Sequence, residues 1–203
     1  MKSFFIGPLI LLITSCAFEA KPVNDVPDAK MFWVNYIQSL KSGEGSKLLS
    51  CFSEPHSDLV LLYVESEAIQ VKFVKELFRK FGESGIDHFN NHNIVGGRVL
   101  TWPPILADIK PDVVARKRNT YLLDINGWRL KIQKSDDGKY QIINAIEALD
   151  GHGVRQLQRI IDAYVHGYER LLADGVEIED IPLIRDEMFE LLLGVPRESF
   201  RRY

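Results

Sequence analysis

Apolar side chains recur at helical spacing in five stretches of this chain, which predicts five helices. The stripe of the first ends at Gly43, and the second stops before Pro55. The third is long and is expected to end at Gly82 or Gly85. Because apolar residues also lie off its main face, this helix is either covered on two sides or broken near Ser66.

Capping residues mark the ends of the other helices. Asp28 is a predicted N-cap of the first helix, and Asp180 caps the fifth, with Pro182 in its first turn. The fourth stripe stops at Gly175 and the fifth at Gly194, where glycine permits the left-handed backbone of a helix end.

Strict alternation of apolar residues predicts a β-hairpin between the third and fourth helices. Its two strands flank Asn126-Gly127, a dipeptide typical of a type I′ turn. A two-residue loop puts the apolar residues of both strands on one face, in the pairs Ile125 with Trp128, Leu123 with Leu130, and Tyr121 with Ile132. Further strands are expected over 94–102 and 139–145; the register of the latter is open because Ile142 and Ile143 are adjacent.

This order of elements predicts an α+β fold, with N-terminal helices packed on a curved antiparallel sheet and a C-terminal helical extension. Segments 32–52, with Ser42-Gly43-Glu44 between two helices, and 128–143, with an Asp-Gly turn before the last strand, resemble the nuclear-transport-factor-2-like superfamily. That cone-shaped fold includes SnoaL-type proteins and hosts isomerases, dehydratases and non-catalytic binding domains. The long third helix and the helices over 154–193 depart from the pattern of this superfamily. The resemblance assigns no functional residue in this chain.

The first sixteen residues resemble a bacterial lipoprotein signal. Lys2 precedes an apolar stretch far shorter than the roughly 20 residues that a membrane-spanning helix needs. The stretch closes with Ile13-Thr14-Ser15-Cys16, which is similar to the lipobox whose cysteine receives a diacylglyceryl group and begins the mature chain. We expect a signal over 1–15, a lipidated tether over 16–27, and anchoring in a bacterial cell envelope; a plain secretory signal is the alternative.

Composition and charge indicate an ordinary globular domain after the signal. The chain is 46% hydrophobic and 26% charged with a net charge of −3, and it has no basic face of the density that nucleic acids require. There are two cysteines. If Cys16 carries lipid, Cys51 has no partner for a disulfide, and its apolar neighbours predict a buried, inert thiol.

Two polar clusters are candidates for a metal-binding or catalytic site. On a helix, His88 and His92 would share one face beside Asp87 and could bind a metal, whereas the Asn-rich surroundings favour a solvated loop. Asp150 and His152 could form an acid–base pair, or could simply belong to the turn before the fourth helix. No nucleophile or phosphate-binding motif accompanies them, and we expect no cofactor.

Several aromatic and acidic residues remain to be assigned. Six aromatic residues could line an apolar pocket, although their spacing favours the core: Phe32, Trp33, Tyr36, Trp102, Tyr121 and Trp128. Tyr164 and Tyr168 are expected at a helix interface. Five acidic residues are expected on solvated faces and caps: Glu65, Glu67, Glu177, Glu179 and Asp180.

Together these patterns predict an α+β domain over 28–150 and a helical extension over 151–203. The predicted function is non-catalytic binding of a small apolar ligand or a protein partner at the membrane surface. One alternative is a small-molecule isomerase, dehydratase or hydrolase with a cone-shaped pocket. The other is a structural or assembly protein that acts through its C-terminal helices.

Overall fold

The structure, a computed structural model, describes residues 27–90, 112–125, 128–143 and 151–194. The predicted signal, the predicted strand over 94–102 and the Asn126-Gly127 turn lie outside these ranges. The side chains at the outer ends of some described segments are likewise outside the description.

Within these ranges the chain forms five α-helices and a four-stranded sheet, which confirms the α+β prediction. The helices are α1 (Pro27–Ser42), α2 (Gly45–Leu49), α3 (Asp58–Asn90), α4 (Gly151–Leu172) and α5 (Ile181–Leu193). The strands are β1 (Asp112–Lys117), β2 (Thr120–Ile125), β3 (Trp128–Lys134) and β4 (Tyr140–Ile142). A short 3-10 turn, Ile178–Asp180, precedes α5.

The predicted helix ends are largely confirmed. Gly43 follows α1 with a φ of +67°, and Gly194 follows α5 in the left-handed conformation. Asp180 is the N-cap of α5, with Pro182 in its first turn. The exception is Asp28, because α1 already begins at Pro27 and this residue lies inside the first turn.

Helix α3 is unbroken near Ser66, which confirms the alternative that it is covered on two sides, but it continues past its predicted end at Gly82 or Gly85. It continues through Ser66, whose hydroxyl donates to the Tyr63 carbonyl at 2.8 Å within the helix. Its non-helical residue is Gly82, with φ 62° and ψ −150°, and the helix resumes and runs to Asn90. Packing against α1 and α2 on one side and α4 and α5 on another explains why apolar residues lie off the main face.

The sheet is an antiparallel meander in the order β1-β2-β3-β4. The hairpin register is as predicted, with Leu123 opposite Leu130 and Tyr121 opposite Ile132. Ile142 pairs with Ile132 and is buried, which gives the register of β4 that the sequence left open. Strand β1 was not predicted, and its pairing with β2 contains a register shift between Val113 and Ala115.

Buried apolar residues form two clusters that meet on α3. The first core cluster joins α1, α2, the first half of α3 and the sheet, and includes Trp33, Leu48, Leu123 and Ile132. The second core cluster joins the second half of α3 to α4 and α5, and includes Phe73, Leu77, Leu171, Ile184 and Met188. Helix α3 is therefore the common support of both halves of the molecule.

Two lysines of α3 hold the carboxyl ends of neighbouring helices. Lys75 Nζ donates to the Ser42 carbonyl oxygen at 2.8 Å, at the end of α1. Lys80 Nζ donates to the Leu171 carbonyl oxygen at the end of α4. A positive charge at this end of a helix offsets the partial negative charge of its unpaired carbonyls. These contacts set α1 and α4 at defined positions along α3.

Candidate functional site

The most unusual group in the described part of the chain is a buried carboxyl surrounded by tyrosines. Glu67 of α3 is only 5% exposed. Tyr63 lies one turn before it on the same helix face, and Tyr36 of α1 and Tyr164 of α4 lie near enough for their hydroxyls to be influenced by its charge. The hydroxyl oxygens of Tyr36 and Tyr63 share a hydrogen bond of 2.9 Å. We call these four residues the Glu67 cluster.

Burial dominates the electrostatics of the Glu67 cluster. Loss of hydration raises the pKa of the Glu67 carboxyl from 4.5 to about 7, because the charged form is the one that burial penalises. Burial, and next the negative charge of Glu67, also raise the pKa of the Tyr36, Tyr63 and Tyr164 hydroxyls. No lysine, arginine or histidine in the described ranges forms an ion pair with Glu67. The cluster therefore favours a neutral carboxyl.

The prediction that Glu67 lies on a solvated face is wrong. Glu65, two residues earlier, is exposed as predicted. Sequence spacing carried the missing signal, because Glu67 follows Tyr63 by four residues and precedes Val74 by seven, so it lies in the middle of an apolar stripe. A glutamate inside such a stripe is a candidate for burial.

A second feature is a shallow groove of about 320 Å³ between α3 and α4. Its walls come from α3, α4 and the first residue of α2. It is lined by Gly45, Leu61, Val64, Glu65, Ala68, Ile69, Lys72, Ile161 and Val165. Two of these nine residues are charged. We call it the α3–α4 groove.

The Glu67 cluster and the α3–α4 groove lie on different faces of α3. Glu67 is not among the groove residues, which include its neighbours Glu65 and Ala68. At 100° per residue, the groove positions and the Tyr63–Glu67 positions point in widely different directions. Within the groove, Glu65 and Lys72 are seven residues apart, about 10 Å along the helix axis.

The first predicted polar cluster is only partly described. Asp87 and His88 lie in the last turns of α3, so the loop prediction is wrong for this part. His88 Nδ1 is 2.8 Å from the Ser84 carbonyl oxygen, an interaction within the helix. His92 lies outside the described residues. Within those ranges no three histidine, cysteine or acidic side chains are placed to hold a metal ion.

The second predicted polar cluster falls largely outside the description. Asp150 is not described, and of His152 only the backbone is, in the first turn of α4. Because α4 begins at Gly151, the prediction that 151–153 form a turn is wrong.

Most of the assigned aromatic residues belong to the core, as their spacing favoured. Phe32, Trp33, Tyr36 and Tyr121 are buried in the first core cluster. Tyr164 is buried in the second core cluster, which confirms its place at a helix interface. The side chains of Trp102 and Trp128 lie outside the description.

Of the two cysteines, the structure describes Cys51 alone. Cys51 is buried just after α2, and burial raises the pKa of its thiol, which agrees with the prediction of a buried, unreactive group. Cys16 lies outside the described ranges.

No protein-family model, curated protein or solved structure matches this chain. Among the residues described, no helix has the length and apolar composition needed to cross a bilayer.

Proposed function

We propose that this protein is a bacterial envelope lipoprotein, anchored through Cys16, whose mature domain binds an apolar segment of a protein partner in the α3–α4 groove without catalysing a reaction. The observation that supports this proposal best is the groove itself. Seven of its nine lining residues are uncharged, which suits contact with apolar side chains.

The shape of the α3–α4 groove favours a protein partner over a small molecule. Small-ligand sites are concave, occupy about 300 to 1,000 Å³ and enclose most of the ligand surface. This groove is at the lower end of that range, and Leu61 at its edge is 45% exposed. Glu65 and Lys72 are exposed as well. Such a groove can accept a few apolar side chains from another protein, but it cannot enclose a free ligand.

The charges of the groove specify the chemistry of the partner segment. Glu65 and Lys72 lie about 10 Å apart along α3, with Ala68 and Ile69 between them. A complementary segment has two or three apolar side chains flanked by a basic residue on the Glu65 side and an acidic residue on the Lys72 side. Opposite charges at the rim set the orientation of such a complex more than its affinity.

The anchor and the shape of the sheet complete the proposal. The lipobox resemblance supports attachment through Cys16, and the tether over 16–27 leaves the domain near the membrane surface. We propose further that the sheet curves around α1 and α3 in the cone-like manner of the nuclear-transport-factor-2-like superfamily. Side chains from α1, α3 and β2–β4 share the first core cluster, which supports this geometry.

The Glu67 cluster favours a second candidate function, a small-molecule isomerase or dehydratase. A carboxyl with a pKa near 7 beside two hydrogen-bonded tyrosines has the chemistry of a general acid or base. The α3–α4 groove, however, does not include these residues. Binding in the α3–α4 groove is therefore the better supported function.

Site-specific photo-crosslinking in the source bacterium tests the proposal. A benzophenone amino acid at Leu61 is compared with one at Leu172, which is 52% exposed on the last turn of α4. We expect one discrete protein adduct from position 61 and none from position 172. The adduct must also disappear in Ala68→Glu, which fills the groove floor with a charge, and persist in the control Ala173→Glu.

Two results contradict the proposal. One is the absence of an adduct at position 61, and the other is an adduct that Ala68→Glu does not affect. Circular dichroism of each variant shows whether the fold is retained. Native mass spectrometry of the purified protein tests the small-ligand alternative, because a retained small molecule appears as an added mass.

A further inference from the structure

The chain leaves α5 on the side of α4 that faces away from the α3–α4 groove. Arg159 Nη1 of α4 lies 3.5 Å from the Leu193 carbonyl oxygen, and a Cβ atom at Gly194 would lie 2.9 Å from Arg159 Nη2. Ile161, which lines the groove, follows Arg159 by two residues, so the two side chains point about 200° apart around the axis of α4. The chain beyond Gly194 therefore starts behind the helix that forms one wall of the groove.

The nine residues that follow contain charges and aromatic rings in a regular order. Their sequence is Val-Pro-Arg-Glu-Ser-Phe-Arg-Arg-Tyr, and we call residues 195–203 the post-α5 segment. The acidic Glu198, the aromatic Phe200 and the basic Arg202 occupy alternate positions. In an extended conformation these three side chains would share one face and span about 13 Å.

The α3–α4 groove presents the complementary groups in the matching order. Lys72 and Glu65 both line it, about 10 Å apart along α3, with Ala68 between them. An extended post-α5 segment that runs antiparallel to α3 would place its acidic residue at Lys72, its aromatic ring over Ala68 and its basic residue at Glu65. The long lysine and arginine side chains cover the small difference in length.

The post-α5 segment is long enough to reach the groove around α4. Half the circumference of a helix 10–12 Å in diameter is about 16–19 Å. The six residues from Val195 to Phe200 span about 20 Å when extended. Asp162 is exposed on this side of α4, between Arg159 and the groove, and can pair with Arg197 on the way. Phe200 is therefore the first aromatic residue after α5 that can enter the groove.

We propose that the post-α5 segment docks in the α3–α4 groove of its own chain, with Phe200 over Ala68, and competes there with the protein partner. Because a tethered ligand acts at a high effective concentration, modest contacts are sufficient to occupy the groove. A partner must then displace the segment, which excludes weak binders. The inference rests on the proposed function in that the groove is the docking site, but internal docking can be measured without a partner.

Intramolecular photo-crosslinking of the purified full chain tests this inference. A benzophenone amino acid replaces Phe200 in one variant and Ser199 in another, where alternation directs it away from the groove. We expect the first variant to form a cross-link at monomer mass to the peptides that carry residues 61–72 or 161–165. The second variant should lose most of this product.

A charge exchange tests the pairing that orients the post-α5 segment. Glu65→Lys sets a like charge against Arg202 and should lower the cross-link yield from position 200 by about two- to fivefold. Combining Glu65→Lys with Arg202→Glu should restore the yield. Glu83→Lys, a charge reversal at an exposed position of α3 outside the groove, is the control and should leave the yield unchanged.

Three results overturn the inference. The first is the absence of groove cross-links at monomer mass, including the case in which they occur only at dimer mass and place the segment on a second copy. The second is an equal yield from positions 200 and 199. The third is a yield that Glu65→Lys does not change. Circular dichroism shows that each variant retains its fold.

The outcome is distinguishable from that of the proposed function. Phe200→Ala frees the groove, so the partner adduct at Leu61 should increase in the source bacterium, whereas Ser199→Ala should leave it unchanged. An internal cross-link without any partner adduct in these variants supports docking of the segment and refutes the protein partner. A partner adduct of equal yield in the wild type and Phe200→Ala, without an internal cross-link, supports the partner and refutes internal docking.

Discussion

The hydroxyl groups of Tyr36 and Tyr63 share a 2.9 Å hydrogen bond inside the protein, and this contact joins α1 to α3 beside a buried carboxyl. Each of the two side chains is only 6% exposed, so each hydroxyl depends on the other for its hydrogen bond. The pair positions α1 against the half of α3 that also carries the α3–α4 groove.

Removing either hydroxyl is expected to destabilise the fold. Tyr36→Phe and Tyr63→Phe should each lower the free energy of unfolding by about 1–2 kcal/mol, because the remaining hydroxyl is left buried without its partner. The double variant should cost clearly less than the sum, since it leaves no unpaired hydroxyl. Urea unfolding of the four proteins at one pH measures this. Additive losses would show that the two hydroxyls do not depend on each other.

Stability is expected to decrease as the pH rises from about 4.5 to about 7. The Glu67 carboxyl has a raised pKa in the folded state, so the folded protein holds a proton that the unfolded chain has released in this window. The stabilisation that this proton provides is fully present below pH 4.5 and is lost by about pH 7. It amounts to about 3 kcal/mol in the free energy of unfolding. Urea unfolding across this range measures the slope, and Glu67→Gln should largely abolish it.

A separate acidic group does not interfere with that measurement. Hydrogen bonds from Ser135 and Lys139 lower the pKa of the Asp137 carboxyl to about 2. Its effect on stability is therefore confined to pH values below about 4, where stability increases as the pH rises. A wild-type stability that rose between pH 5 and 7, with Glu67→Gln unchanged from it, would contradict the assignment of Glu67.

Lys75 is expected to stabilise the end of α1. Its ammonium group donates to the Ser42 carbonyl oxygen at 2.8 Å, and Lys75→Met should lower the free energy of unfolding by about 1 kcal/mol. Lys72→Met, three residues earlier and exposed, is the matched control and should change stability by less than about 0.5 kcal/mol. Equal effects of the two substitutions would refute the capping role.

Gly167 is expected to be required for the close approach of α4 and α5. A Cβ atom at this position would overlap Met188 Sδ and lie 3.0 Å from Cε of the same side chain, which is buried. Gly167→Ala should therefore destabilise by about 1–3 kcal/mol, although alanine is the better helix former. Gly45→Ala, where the nearest atom is 3.5 Å away, is the control. Thermal unfolding compares them, and an unchanged or higher Tm for Gly167→Ala would contradict the expected overlap.

Cys16 is expected to hold the protein on a membrane. Cys16→Ser removes the thiol that the lipobox resemblance assigns to lipid attachment, so the variant should lose incorporation of labelled palmitate and leave the membrane fraction. Cys51→Ser, which changes the other cysteine, should retain both. Labelling that persists in Cys16→Ser would contradict the proposed anchor.

The sequence correctly predicted those elements of the fold that are determined by residues close together in the chain. The β2–β3 hairpin is the clearest example, because an Asn-Gly turn and strict alternation place Leu123 and Ile132 on one buried face without reference to the rest of the chain. The ends at Gly43 and Gly194 follow from left-handed glycine in the same way.

Tertiary packing decided the parts that the sequence mispredicted. Gly82 or Gly85 was expected to end α3, but Ile86 and Phe89 are buried in the second core cluster, and this packing continues the helix to Asn90. Strand β1 escaped prediction because pairing with β2, through an irregular register, stabilises a segment with little alternation of its own.

The candidate site could be predicted only in part. The burial of Glu67 could be predicted from its place in the apolar stripe that contains Tyr63 and Val74. Its neutral form could not, because it depends on the absence of an ion pair within the described residues, which is known only from the packed structure. The α3–α4 groove has no signature, because Ala68 and Val165 are nearly one hundred residues apart and meet through helix packing.

We expect Glu67, at the junction of α1, α3 and α4, to be neutral below about pH 7 and to ionise near neutral pH. Carbon-13 NMR of the labelled carboxyl, with Glu67→Gln used to assign its signal, measures this directly in the folded protein. We predict a titration midpoint near pH 7, accompanied by a shift of the Tyr164 ring signals over the same range. A midpoint near 4.5, the value of a solvated glutamate, would contradict the raised pKa of the Glu67 carboxyl.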